Sequence, residues 1–156
     1  MIRKITAADE AVFLELTKQF YASDAVLHDI PEAHRRATFR ELMRSDVYAE
    51  GYLLEQEGEI AGYGLLSKTF SQEAGGMVIW IEELYLLPQY RGRGLGQRFI
   101  AFVESMPGVA RIRFEVEPDN DRAKTLYRRQ GFRFRRLPVQ FSAMGMHCRH
   151  LIHDAV

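Results

Sequence analysis

The stretch that most restricts the fold lies in the middle of the chain. An apolar run at 77–87 meets Pro88, then Arg91-Gly92-Arg93-Gly94-Leu95-Gly96, then a helical pattern. Leu95, Phe99, Phe102 and Met106 recur at helical spacing, Pro107-Gly108 stops the helix, and 110–117 reads as another strand. A strand–helix–strand crossover demands parallel neighbours. Upstream, the runs 51–56 and 60–67 flank Glu57-Gly58-Glu59, the mark of an antiparallel hairpin. The sheet must therefore be mixed.

The remaining elements fit around that frame. Residues 2–5 form a short strand, and Thr6 with Asp9 resembles a capping box for a helix carrying Phe13, Leu16 and Phe20. The polar stretch 22–31 ends in Pro31, a favourable first position for a second helix with Phe39, Leu42 and Met43 inward. A loop at Gly75-Gly76 precedes 77–87. Asp119 or Asn120 caps a later helix with Ala123, Leu126, Tyr127 and Gln130 on its inner face, and Gly131 stops it. Residues 132–136 and 139–146 read as a closing antiparallel pair. The expected class is mixed α/β: one domain over 1–156, with six to seven mostly antiparallel strands and about four helices.

Composition narrows the function classes. The chain has 156 residues, 47% hydrophobic and 27% charged, with a formal net charge of zero. That balance is globular and argues against a large nucleic-acid footprint. No apolar run approaches the roughly 18 residues of a membrane helix, because Glu82, Glu83 and Arg98 interrupt the longest ones. The first residues lack the apolar core of a secretory signal, and the single Cys148 fits a reducing cytoplasm.

The glycine segment is the chemical centre. Glycines let a backbone approach a ligand closely, and the first amides of a helix lack internal partners. Together with the helix dipole they make an anion site, and Arg91 and Arg93 add charge. The segment has no Gly-Lys-Ser/Thr, so it is no P-loop, and Gln97 stands where a dinucleotide fingerprint needs glycine. A glycine-rich turn with solvated arginines would fit the same letters.

Arg91-x-x-Gly94-x-Gly96 resembles the Gln/Arg-x-x-Gly-x-Gly/Ala signature of the GNAT superfamily of N-acetyltransferases. Upstream, 81–88 resembles the family's central strand. Downstream, Asn120-x-x-Ala123-x-x-Leu126-Tyr127-x-x-x-Gly131-Phe132 resembles its last helix and following strand. The resemblance implies a cosubstrate, acetyl-CoA, lying between two splayed parallel strands at 77–87 and 110–117. Its pantetheine arm would pair with the backbone of Leu84, Tyr85 and Leu86, as an added strand would. Its pyrophosphate would sit on amides of Gly92, Arg93, Gly94, Leu95, Gly96 and Gln97. Asn120 matches a position near the pantetheine arm, although it would serve equally as a helix cap.

Acetyl transfer to an amine needs the neutral nucleophile, and a lysine-like amine has a pKa of about 10.4. A carboxylate on the central strand can assist. Glu82 and Glu83 interrupt an otherwise apolar strand, and simple alternation sends them to opposite faces. Glu82 matches the glutamate of the spermidine/spermine acetyltransferases, which this segment resembles, so it is the expected general base; a bulge would change which one faces the cleft. Tyr127 matches the family's general-acid position, and the Leu84 amide is the expected oxyanion donor.

The resemblance implies a primary amine acceptor, on a small molecule or a protein, with no metal, nucleic acid or membrane involved and homodimerisation left open. A non-catalytic acyl-CoA-binding regulatory module of the same fold is the alternative, and an interaction partner with a vestigial cleft is a further one. His147, His150 and His153 beside Cys148 could meet as metal ligands on a helix, but a solvated tail explains them better. Arg133 to Arg136, alternating with Phe134, reads as an edge strand. Tyr21, Asp24, His28, Asp29 and His34 fall in the region that shapes the acceptor site in the family.

Overall fold

A computed structural model describes residues 1–23, 26, 29–116, 124–125, 133–134 and 149–153. The order is β1 (Ile2–Lys4), α1 (Glu10–Tyr21), α2 (Glu32–Arg44), β2 (Ala49–Gln56), β3 (Glu59–Ser71), β4 (Gly76–Leu86), α3 (Leu95–Glu104), β5 (Val109–Val116), β6 (Arg133–Phe134) and β7 (Arg149–His153). These strands join one sheet in the order β1-β2-β3-β4-β5-β7-β6. Only β4 and β5 run parallel, joined by the α3 crossover; the other pairs are antiparallel. The sheet is mixed, as the sequence pattern requires.

Local chemistry explains the entries into the helices. The Asp9 carboxylate accepts the Thr6 amide and the Thr6 hydroxyl, each at 2.8 Å, which supports a single 3-10 turn, Ala7–Asp9, ahead of α1. The Arg3 guanidinium clamps the same carboxylate with two bonds of 2.9 Å and holds its pKa well below the usual range. Pro31 stands one residue outside α2 rather than at its first helical position, with an extended ψ of 144°. The Glu32 amide then begins the helix.

Two expectations at the end of the chain need restating. The helix expected after Asp119 or Asn120 and the strand expected at 139–146 lie outside the described residues, apart from a helical pair at Lys124 and Thr125. Residues Arg149–His153, read from sequence as a solvated tail, form a strand antiparallel to β5. An unpaired β5 would otherwise leave a row of open backbone groups, and β7 satisfies them. Helical spacing therefore does not apply to His150 and His153. No helix among the described residues is long and apolar enough to cross a membrane.

Strand alternation sorts the core into two layers. Leu54, Leu66, Ile79, Ile81, Ile112 and Phe114 pack on α3 through Phe99, Ile100 and Val103. Their alternates Leu53, Tyr63, Leu65 and Tyr85 pack on α1 and α2 through Phe13, Leu16, Phe20, Phe39 and Leu42. Burying each large apolar side chain contributes about 1.5–3 kcal/mol. Packing on the α3 side is tight enough to exclude a methyl group on β3. A Cβ at Gly64 would sit 2.1 Å from Cζ of Phe99, a fully buried ring. Gly64→Ala should therefore cost about 1–3 kcal/mol by overpacking. Phe99→Leu shortens the obstructing ring, so urea titrations should show the double variant losing less stability than the two single losses added together.

Candidate active site

The site is set by where β4 changes partners. β4 pairs with β3 along its whole length, but with β5 only from Met77↔Val109 to Ile81↔Phe114. Beyond Ile81 the two parallel strands part. At the same point the β3–β4 register jumps from Leu66↔Ile81 to Leu65↔Glu83, which leaves Glu82 as the extra residue of a β-bulge.

That bulge changes which way the glutamates face. Ile79 and Ile81 belong to the α3 layer, and so do Leu84 and Leu86, whereas Tyr85 belongs to the α1 layer. Glu83 bonds to Tyr63, a residue of the α1 layer, and Glu82 bonds to Ser67, two residues beyond Leu65 on the same face of β3. Both carboxylates therefore lie on the α1 side of the sheet. Alternation predicts that they diverge; the extra residue absorbs one half-period and brings them together.

Their surroundings still differ. Glu83 is 9% exposed and receives two neutral hydroxyls: Tyr63 Oη donates to Oε2 at 2.5 Å and Tyr21 Oη to Oε1 at 2.6 Å. Burial pushes the Glu83 carboxyl above its ordinary value; the two hydroxyls oppose that shift and the charge of Glu82 adds to it. Burial and the neighbouring carboxylate likewise raise the phenols of Tyr21 and Tyr63. Glu82 is exposed and accepts the Ser67 hydroxyl at 2.5 Å. Sequence reasoning missed Tyr63 and Ser67 and gave Tyr21 no role. Tyr21 lies 62 positions from its glutamate, and no local pattern signals such a bond.

Past the bulge, no strand among the described residues pairs with the β5 side of β4. The Leu87 amide donates to the Ala61 carbonyl at 2.9 Å. Antiparallel alternation then turns the peptide groups of Leu84 and Leu86, opposite Gly64 and Gly62, away from β3 and toward the side that β5 has left. Arg91 Nε donates to the Leu86 carbonyl at 2.7 Å while its guanidinium lies 5.6 Å from the Tyr85 ring. Arg91 is thus folded back on the end of β4. Arg93 lies over Tyr90 at 5.6 Å and is exposed.

The glycine segment has the openness a ligand needs. Gly92 and Gly94 hold φ values of 78° and 77°, a conformation that favours glycine. A Cβ at Gly92 would meet nothing within 4 Å, and one at Gly94 only Gln97 Oε1 at 3.9 Å. Crowding therefore does not explain these glycines; backbone direction does. Gly94 is the N-cap of α3 and supplies no side-chain cap, and the first helical bond is Arg98 N to Gly94 O at 3.0 Å. The amides of Leu95, Gly96 and Gln97 precede it, where a helix has no internal acceptors to offer. Asn120 and Tyr127 lie outside the described residues.

The raised Glu83 pKa fixes the sign of a pH effect. A group whose folded pKa exceeds its unfolded value adds stability below the unfolded value, 4.5 here, and loses it as pH rises through the folded one. Gln at position 83 keeps the shape and never ionises. The stability of Glu83→Gln relative to the parent should therefore improve as pH rises from about 4.5 toward 7. Thermal midpoints across that range test this; a flat difference would mean that Glu83 ionises alike in folded and unfolded chains.

Comparison with known proteins fits this geometry. The model of the acetyltransferase (GNAT) family matches residues 11–132. The thialysine N-epsilon-acetyltransferase of Bos taurus is 35% identical over 75 residues, 46% of this chain and 44% of that protein. The match thus spans under half the length of either protein. Among solved structures, the ribosomal-protein-alanine N-acetyltransferase of Brucella melitensis superposes with a TM-score of 0.73 at 19% identity, covering 99% of each chain. An aminoglycoside N-acetyltransferase in complex with CoA gives 0.73 at 18%, covering 91% of this chain and 93% of the other. These two likenesses are of fold. The family match takes in both helices of the α1 layer, the broken strand β4 and the glycine loop, and this chain belongs to the GNAT family of acetyltransferases.

Proposed function

We propose that residues 1–156 form a single acetyltransferase domain that moves an acetyl group from acetyl-CoA to a primary alkyl amine by direct attack. The observation that carries this reading is the parting of β4 from β5 after Ile81, with the open edge of β4 leading straight into an uncapped, glycine-rich helix start. An extended arm ending in a pyrophosphate matches both halves of that site. The residues fit the cosubstrate: Leu84 and Leu86 offer backbone to the pantetheine arm, Tyr85 between them turns its own backbone to Tyr63 on β3, and Gly92 to Gln97 offer amides to the phosphates. Asn120 joins the set on the family resemblance alone. When bound, acetyl-CoA supplies the activated acetyl thioester.

The chain's own groups then handle two protons. Glu82 accepts the proton that the ammonium must lose, directly or through water. Its exposure and its single Ser67 bond leave it open to an acceptor, whereas Glu83 is buried and already takes two hydroxyls. At neutral pH under about one in a thousand lysine-like amines is neutral, so this assistance is worth several kcal/mol. The Leu84 amide faces the side that β5 has left and donates to the oxygen that gains charge. Tyr127 returns a proton to the departing thiolate. The bovine relative is named for acetylating the ε-nitrogen of thialysine, and we carry over only the class of acceptor, a primary amine on an aliphatic arm. Reaction in the cytoplasm fits a chain with one cysteine.

A screen of amines read out by thiol release tests the activity, and two variants test the roles. Glu82→Gln keeps the shape but cannot take the proton. Its kcat/KM should fall about a hundredfold near pH 7 and recover toward the parent as pH approaches the amine's own pKa. A pH-dependent defect in Glu83→Gln, with Glu82→Gln near normal, would reverse the assignment.

Gly94→Glu places a negative charge at the cradle, and Gly94→Ala carries the same backbone strain without the charge. Calorimetry should show acetyl-CoA affinity lost in the first variant and largely kept in the second. Equal affinity in Gly94→Glu and the parent would move the phosphates elsewhere.

A further inference from the structure

Glu83 is an expensive residue to keep. A buried carboxylate costs several kcal/mol of desolvation unless its surroundings return that energy, and an apolar side chain would avoid the cost. Here it joins β3 to the end of α1 through two hydroxyl bonds. Tyr63 holds it from the floor, on β3, and Tyr21 holds it from the last residue of α1. Tyr21 is half-buried, packs edge-on against Phe20 at 5.1 Å between ring centroids, and senses the charge of Glu82 as well as that of Glu83. Its hydroxyl therefore ties the end of α1 to the bulge.

The far end of the same connection is pinned in a similar way. Arg35 of α2 is 8% exposed and donates through Nη1 to the Ile30 carbonyl at 2.8 Å and to the Asp29 carboxylate at 3.2 Å. Buried polar groups thus fix the chain where it leaves α1 and where it enters α2, on the side of the sheet that carries Glu82. Both lie on the α1–α2 side of the sheet, the side that carries Glu82.

We propose that Tyr21, held by Glu83, is a positioning residue for the amine acceptor: the Tyr21–Glu83–Tyr63 chain locks the end of α1 to the bulge and so fixes the Tyr21 ring relative to Glu82. This rests on the reading of the Glu82 side as the acceptor side. Glu83 thereby acts on catalysis through geometry, while Glu82 remains the group that meets the amine. The effect belongs to the acceptor more than to the cosubstrate, since the side chains of Leu84 and Leu86 lie in the α3 layer, across the sheet from Tyr21.

The decisive variant is Tyr21→Phe, which keeps the ring against Phe20 and removes one hydroxyl. With thialysine as the first acceptor, and the best amine of the thiol-release screen beside it, the amine KM should rise about fivefold or more. The acetyl-CoA KM should stay within about twofold, and the pH profile of kcat should keep its shape because the base is unchanged. Glu83→Gln should raise the amine KM by a similar factor, and the double variant should be little worse than either single one, as expected for residues acting as one unit. An unchanged amine KM in Tyr21→Phe, or an equal rise in the acetyl-CoA KM, would overturn the proposal and leave the chain of hydroxyls a packing device. Failure of the Glu82 base reading would look different: Glu82→Gln would keep its neutral-pH rate whatever Tyr21→Phe does to KM.

Discussion

The structure turns on one strand that loses a neighbour. In an ordinary sheet each interior strand bonds on both edges, and β4 obeys that rule from Met77 to Ile81. From Glu82 onward its strand pairing among the described residues is with β3 alone, although it continues to Leu86. The bulge and the parting coincide, and the coincidence has a physical reason. An extra residue increases local twist and bends the strand, so β4 turns away from the direction that β5 keeps. The glycine loop, the α3 N-terminus and the two carboxylates all take their places from that bend.

The same residue also decides the electrostatics. Without the bulge, Glu83 would point into the apolar α3 layer, away from Tyr21 and Tyr63. With the bulge, it meets Tyr21 and Tyr63, and Glu82 stays exposed beside it. Two carboxylates on one face repel each other, and that repulsion adds to the burial that already raises Glu83. A buried and an exposed carboxylate side by side can have separate duties, one holding structure and the other exchanging protons with solvent or ligand.

Much of this was legible in the sequence because it depends on local rules. The period-two and period-3.6 runs located β2 to β5 and α3, and Gly92 and Gly94 marked a backbone conformation that other residues rarely adopt. The crossover between β4 and β5 followed from chain order alone. What alternation could not give was the facing of Glu82 and Glu83, because a bulge is a property of paired strands and only β3 reveals it. The Tyr21 and Tyr63 bonds were hidden for a related reason: they join residues distant in sequence, and a tyrosine in an apolar pattern looks like any other aromatic. The strand at Arg149–His153 was missed because its five residues mix histidine and arginine with Leu151 and Ile152, a composition that reads as surface until β5 is seen to need a partner.

The open stretch of β4 has a further property that comes from its place in the sheet. Bare strand edges usually lie at the rim, where any extended chain can dock and where proteins begin to aggregate. This one lies in the interior, with β3 bonded on one side and β5 diverging on the other. Another molecule's sheet cannot reach it edge-on, because β5 and the strands beyond it stand in the way. Only a slender, flexible guest, about one strand wide and entering along the wedge, can use those hydrogen bonds. The fold thus sorts visitors by thickness before any side chain has read their chemistry.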